Sequence, residues 1–542
     1  MKKNILLNYF LKNNLTPRKS QINCLNWLNE NLTNFNYFIL QLPTGVGKSH
    51  IGLSLSELNT KNLYISSTNQ LLDQYINIDK TLVDIKGMQN YKCALDKSFN
   101  CFTSKCKTDK KIKEECLSKK ICPYYNQRDK FINSKMGLTN YAFMTASAGC
   151  GIFSENFFSE DFKYDFIICD EAHNLENHLI NFATININID QLNFKKIILG
   201  DYYLNENSEW ETILNICYNI KDEIQNKLKL LKAKIRGEAK SKNLNKRYLK
   251  KLWNEYYYLD RMIFPINILT LYPNKDQWVC DIDSNNNSFK IVPLNVDFVF
   301  DRYIKPLSDK IIFMSATIGD SDVFIKSLGL DKNKTCFYEC DSPFDPKKSP
   351  IVLIEKLNLS YNNIDSELKN VLKYVEAISK KHVNENGIIH SGNYKIANYI
   401  FKNASIELQN RLVFKEKFNN ANNSKLLSIH ESNSLNNNSI LLSPSLYEGV
   451  DLKDDYSRWQ IIIKLPFLSL GDKRIKYLAA NYPSWYTNDV VKKVIQACGR
   501  STRHDKDYSI TYILDKICSY TFNKVNIPIW FKKRLIKLNK GG

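Results

Sequence analysis

The densest chemistry in this sequence lies at Leu42-Pro43-Thr44-Gly45-Val46-Gly47-Lys48-Ser49, directly after the apolar run 37–42. A phosphate chain needs backbone N–H donors at close range. Gly45 and Gly47 let the backbone approach, and a helix that follows turns its N-terminus toward the anion. Thr44 and Val46 complete the loop, Lys48 can reach the β- and γ-phosphates, and Ser49 can coordinate Mg2+. Leu42 stands where the full pattern has its first glycine. A second group, Asp170-Glu171-Ala172-His173, follows the apolar run 164–169. Acidic residues at the carboxyl end of a strand sit where α/β sheets bind ligands. Asp170 can hold Mg2+, and Glu171 can orient and deprotonate a water. A third group is Gln496, Arg500 and Arg503, spaced i, i+4, i+7, which a helix over 490–499 brings to one face. Two arginines far in sequence from the phosphate loop suit charge stabilisation across a cleft.

The cysteines are unevenly placed. Of 14, five (Cys93, Cys101, Cys106, Cys116 and Cys122) fall within 30 residues. In a reducing compartment such clustering points to a metal site rather than disulfides, and four thiolates suit zinc or iron–sulfur. The nine others, such as Cys169 in an apolar run, read as small buried residues.

These groups need elements to carry them. Apolar runs at 37–42, 62–66, 164–169, 310–314, 387–390, 439–442, 460–465 and 509–514 read as buried parallel strands with helices between. The expected fold class is therefore α/β, in two lobes that meet near residue 335. Two stretches break the alternation. Residues 91–128 hold the cysteines. Residues 180–295 read as mostly helical, with a stripe at Ile224, Leu228, Leu231 and Ile235. Within that second stretch, residues 221–251 carry 12 Lys/Arg against 3 Asp/Glu, a local net of 12 − 3 = +9. The asparagine-rich stretch 418–439 reads as a surface loop. The whole chain of 542 residues carries 76 basic and 56 acidic side chains, so its net charge is 76 − 56 = +20. That excess favours a polyanion, nucleic acid before a membrane surface. With 43% hydrophobic residues the chain has material for several cores, which excludes wholesale disorder. No secretory or membrane segment is evident, so an intracellular, cytoplasmic protein is expected (the nucleus or a viral factory if the source is eukaryotic or viral).

The order PTGVGKS, DEAH, Ser315-Ala316-Thr317, SLYEGVDL (445–452) and QACGRSTR (496–503) resembles a superfamily 2 helicase. The stretch from Lys86 to Cys93 and the run Cys122-Pro123-Tyr124-Tyr125 are similar to the XPD/DinG iron–sulfur helicases. Thr139-Asn140-Tyr141, SPFDP (342–346), GIIHSGNYKIANY (387–399) and KLPFLSLGD (464–472) fit the same group. The resemblance implies an ATP-dependent DNA helicase that moves 5′ to 3′ on single strands and unwinds duplex. It implies two RecA-like lobes, with the first interrupted by an iron–sulfur insert and a helical arch. The segments are then 1–90, 129–180 and 296–335 for lobe 1, 91–128 for the cluster, 181–295 for the arch and 336–542 for lobe 2. Cofactors would be ATP, Mg2+ and a 4Fe-4S cluster; partners would be single-stranded and forked DNA, with no membrane, and the motor would be monomeric. Arg18 and Gln21 would read adenine, and Glu448, Gly449 and Asp451 would link ATP to DNA. The cluster ligands would be Cys93, Cys106, Cys116 and Cys122, with Cys101 the alternate to Cys106. Tyr91, Tyr124 and Tyr125 either stack on bases or pack round the cluster. An RNA helicase or an ATPase without unwinding, and a zinc-bearing adaptor with a degenerate ATP site, are the competing readings.

Overall fold

A computed structural model of the chain describes residues 4–58, 60–149, 163–188, 209–241, 245–283, 285–286, 288–435, 438–447, 452, 454–499, 501 and 507–537. In chain order the strands are β1 (Tyr37–Gln41), β2 (Asn62–Ser66), β3 (Val83–Asp84), β4 (Met136–Asn140) and β5 (Phe166–Asp170). Then come β6 (Ile185–Asn188), β7 (Trp278–Asp283), β8 (Ser288–Pro293), β9 (Ile311–Ser315) and β10 (Thr335–Glu339). The last group is β11 (Ile351–Leu357), β12 (Gly387–His390), β13 (Leu412–Val413), β14 (Ile440–Ser443), β15 (Trp459–Ile462), β16 (Ile510–Asp515) and β17 (Leu535–Lys537).

Two sheets of seven strands organise the molecule, in the orders β10-β1-β9-β5-β2-β4-β3 and β13-β14-β12-β15-β16-β11-β17. Every pairing in them is parallel. The central strands β1, β2, β5, β9, β12, β14 and β15 are buried along their whole length. Helices cover both faces, so these strands read as unbroken apolar runs rather than alternating ones. The fold class is the α/β expected, and the two sheets are the cores of two lobes.

Several boundaries differ from the sequence expectation. β10 pairs with β1 in the first sheet, so lobe 1 runs past residue 335 to Glu339. The strand is only half buried, as an edge strand is, and lacks the apolar run that marked the others. Helices Pro123–Asn133 and Leu175–Ala183 cross the boundaries drawn at 128 and 180. Residues 180–295 are not all helical: β6, β8 and β7 form an antiparallel sheet of three strands. It closes the base of two long helices, Trp210–Lys240 and Lys246–Leu271, which bury the expected stripe at Ile224, Leu228, Leu231 and Ile235. The stretch 418–439 holds a helix, Asn423–Ser434, where a loop was expected. Its buried positions include His430 and Ser434, whose polarity hid the pattern. Among the described residues no helix is long and apolar enough to cross a membrane.

Candidate active site

The carboxyl ends of β1, β5 and β9 lie in register, with Gln41 opposite Ser315 and Asp170 opposite Met314. This gathers three sequence groups on one edge of the first sheet. After β1 the chain turns through Gly45 and Gly47, at φ +86° and +87°, a region that favours glycine. A Cβ at Gly45 would run into the Phe344 ring, and one at Gly47 into the Gln21 amide. Gly47 then caps helix Lys48–Leu53, whose first residues are Lys48 and Ser49. Val46 is buried and holds the loop down. Arg18 donates from Nη1 to Gly45 O, and Gln21 donates from Nε2 to Gly47 O at 3.4 Å. Gln21 Oε1 also accepts from Arg18 N at 2.8 Å, fixing the two side chains against the loop.

Lys48 Nζ lies 3.7 Å from Glu171 Oε1 across this edge. Asp170 is buried, and the Tyr75 hydroxyl donates to its Oδ2. The same hydroxyl stands beside Ser49 and Tyr64. Tyr141 donates from its hydroxyl to Asp170 O at 2.9 Å. Burial pushes the Asp170 carboxyl above its ordinary range, and Glu171 adds to this; Lys48 and the Tyr75 bond oppose it. Glu171 itself has φ +49°, left-handed for a residue with a Cβ, as at many functional turns. Phe10, Leu15, Arg18, Gln21, the loop 43–50, Tyr75, Asp170, Glu171 and Phe344 surround a cavity of about 690 Å³. It offers backbone donors, the Lys48 ammonium, the Ser49 hydroxyl and the carboxylates of Asp170 and Glu171 together, which is the donor set for a polyphosphate with a divalent cation. Tyr75 was not singled out from sequence: it comes from helix Asn69–Ile78, 95 residues from Asp170, and no local spacing marks it.

From this edge a chain of contacts reaches the second lobe. His173 Nδ1 lies 3.2 Å from Glu171 Oε2 and 2.7 Å from Ser315 Oγ. Ser315 Oγ accepts from Thr317 N at 3.1 Å. Gln496, on helix Pro483–Cys498, donates from Nε2 to Thr317 Oγ1 at 3.2 Å. Arg500, Arg503, Glu448, Gly449 and Asp451 lie outside the described residues.

The five clustered thiols are all buried, and all are free. Cys122 Sγ is 4.0 Å from Cys101 Sγ, and Cys106 Sγ is 2.9 Å from Ser104 Oγ. Burial pushes the Cys116 thiol up, and the nearby Cys106, Cys122 and Cys93 push it further. Side-chain contact with Cys101 pulls the Cys122 thiol down. Among the described residues no three His, Cys, Asp or Glu side chains converge on one metal ion. Cys101, Cys106 and Cys122 lie near the amine of Lys107, and the segment's five buried thiols are one more than a cluster held by four cysteines requires. Tyr124 is buried, with Tyr91 and Tyr125 each 5.5 Å away in edge-on contact. Of the two roles left open for these tyrosines, Tyr124 takes the packing one. The segment also meets the long helices: Phe102 packs on Trp253 and Tyr257 at 5.4 and 5.3 Å, and Lys246 pairs with Asp96 at 2.8 Å.

Residues 375–534 match the family described as helicase C-terminal domain, and residues 14–204 match the type III restriction enzyme res subunit. A probable ATP-dependent helicase of Methanocaldococcus jannaschii is 24% identical, covering 90% of this chain and 89% of its own. An ATP-dependent DNA helicase, CHL1 of Debaryomyces hansenii, is 26% identical over 27% of this chain and 22% of its own. Among solved structures, an XPD helicase superposes with TM-score 0.61 at 17% identity over 96% of this chain and 100% of that one. The S. tokodaii Xpd4 structure gives TM-score 0.57 at 14% identity, again over 96% and 100%. Two helicase-related family models match in lobe order, a helicase relative aligns over most of both chains, and the fold is that of the XPD structures, so the chain is similar to XPD/DinG-like helicases of superfamily 2.

Proposed function

We propose that this helicase is ATP-driven, acts on DNA, moves 5′ to 3′ on single strands and unwinds duplex. The observation that carries the motor chemistry is the meeting of Lys48, Ser49, Asp170 and Glu171 round one cavity. In this reading Thr44, Gly45, Val46 and Gly47 cradle the phosphates. Lys48 neutralises their charge, Ser49 and Asp170 hold Mg2+, and Glu171 takes the proton of the attacking water. Arg18 and Gln21, braced on the loop, face the base. Gln496, Arg500 and Arg503 approach from the second lobe, with Glu448, Gly449 and Asp451 coupling ATP to DNA.

Cys93, Cys106, Cys116 and Cys122 would hold a 4Fe-4S cluster, with Cys101 the alternate to Cys106. When bound, the cluster would supply a rigid cross-link for the segment that packs on the long helices. The net charge of +20 favours a nucleic acid, and the motif resemblance favours DNA within that class. Steady-state ATP hydrolysis by oxygen-protected protein, titrated with single-stranded DNA and with RNA, tests the substrate. Stimulation by DNA at lower concentration than by RNA is expected; stimulation by RNA alone would replace this reading with the RNA helicase one.

A further inference from the structure

Helix Pro483–Cys498 touches the first lobe at both ends, in chemically different ways. Near its start Trp485 donates its indole N–H to Glu176, at 2.9 Å to Oε1 and 3.1 Å to Oε2. Glu176 lies in helix Leu175–Ala183, which follows directly on Asp170 to Asn174. Arg474, from helix Lys473–Asn481, lies over the Trp485 ring and reaches Glu176 Oε1 at 3.4 Å. Its Nε donates to Pro293 O at 2.9 Å, and the same Nη2 that reaches Glu176 donates to Leu294 O at 3.0 Å, where β8 leaves the sheet of three strands. Next to it Lys473 pairs with Asp281 of β7 at 3.1 Å. One helical turn beyond Trp485, Asn488 Oδ1 accepts from Asp320 N at 2.9 Å. A Cβ at Gly319 would collide with that oxygen, so the approach is built for glycine. At the other end of the helix, among the described residues, Gln496 makes a neutral bond to Thr317.

These ends differ in what they cost to break. Parting the buried Arg474 guanidinium from the half-buried Glu176 carboxylate leaves the arginine charge uncompensated, which is a costly change in a protein. A single neutral hydrogen bond exchanges with water at small net cost. We propose that helix Pro483–Cys498 is a lever: Glu176, Arg474, Trp485 and Asn488 form a fulcrum that persists through the ATP cycle, while the Gln496 end follows the nucleotide. This rests on the reading of the chain as an ATP-driven motor. Trp485 and Gln496 are separated by about 16 Å of helix, so a rotation of about 10° at the fulcrum carries the Gln496 end about 3 Å. Because Arg474 holds the strand leaving the small sheet, the same fulcrum references that motion to the base of the long helices. Glu176, Arg474 and Trp485 are thus positioning residues, which act through Gln496 and the strand rather than on ATP.

Hydrogen exchange on the intact chain, with and without a non-hydrolysable ATP analogue and Mg2+, tests the lever. The expected result is protection of residues 44–49, exchange slowed about fivefold or more over 493–499, and exchange within about twofold over 473–488. Trp485→Phe and Glu176→Gln should keep the protection of 44–49 and an ATP KM within about twofold. They should lower base pairs opened per ATP hydrolysed by about threefold or more. A nucleotide-dependent change over 473–488, or full coupling in both variants, overturns the fulcrum. Absence of protection at 44–49 instead removes the motor reading, and the lever with it.

Discussion

At the scale of single residues, the account rests on the charges that Lys48 and Glu171 present to the phosphates, 3.7 Å apart across the cavity edge. Lys48→Ala should reduce ATP hydrolysis by about 100-fold or more, because packing cannot replace a positive charge aimed at developing negative charge. Near-normal turnover in that variant would remove the phosphate-loop assignment. Glu171→Gln keeps the shape and loses the base, so it should bind ATP and DNA yet hydrolyse roughly 100-fold or more slowly. Loss of ATP binding in a titration with a fluorescent analogue would make Glu171 structural instead. The loop was legible from sequence because its glycines are required locally, by φ near +86° and by the approach of Phe344 and Gln21. Tyr75 at Asp170, His173 at Ser315 and Trp485 at Glu176 were not, since these pairs lie 95, 142 and 309 residues apart.

At the scale of elements, buried parallel strands announced themselves and half-buried ones did not. The bounds of β2 and β12 coincide with their apolar runs, whereas edge strand β10 and the antiparallel β6, β7 and β8 carry mixed patterns. Helix Asn423–Ser434 hides its inner face behind polar groups: His430 lies 2.8 Å from Ser439 Oγ and 2.9 Å from Tyr456 O. The long helices make a separate prediction. Lys229, Lys232, Lys234, Arg236 and Lys240 are exposed on the first, and Lys246, Arg247, Lys250 and Lys251 on the second. Reversing several of these charges should flatten the salt dependence of DNA binding, by about 0.7 in logarithmic slope for each phosphate that is no longer neutralised. An unchanged slope would make the basic run a solvated surface. The cysteine segment makes another. Cys93→Ser and Cys122→Ser should each lose iron and strand displacement while retaining ATP hydrolysis, because the thiols lie in an insert away from the phosphate loop. One of Cys101→Ser and Cys106→Ser should behave alike and the other should not, with iron and sulfide content as the readout. Stoichiometric zinc without iron, in protein purified free of oxygen, would overturn the cluster.

At the scale of the whole molecule, two seven-stranded sheets are joined by Gln496 near the phosphate loop and by Arg474 and Trp485 at the base of the long helices. Such an arrangement lets nucleotide at one end of a cleft alter the spacing of the lobes, which is what a motor on a strand requires. The cysteine segment and the long helices touch through Phe102, Trp253, Tyr257 and the Lys246–Asp96 pair. The central claim is direction-specific, ATP-dependent unwinding of DNA. Its most direct test is strand displacement by oxygen-protected protein, comparing duplexes that carry a 5′ single-stranded tail with duplexes that carry a 3′ tail. ATP-dependent displacement from the 5′ tail and little from the 3′ tail is expected; displacement from the 3′ tail alone, or none from either while ATP is still hydrolysed, would rule out a 5′ to 3′ DNA helicase.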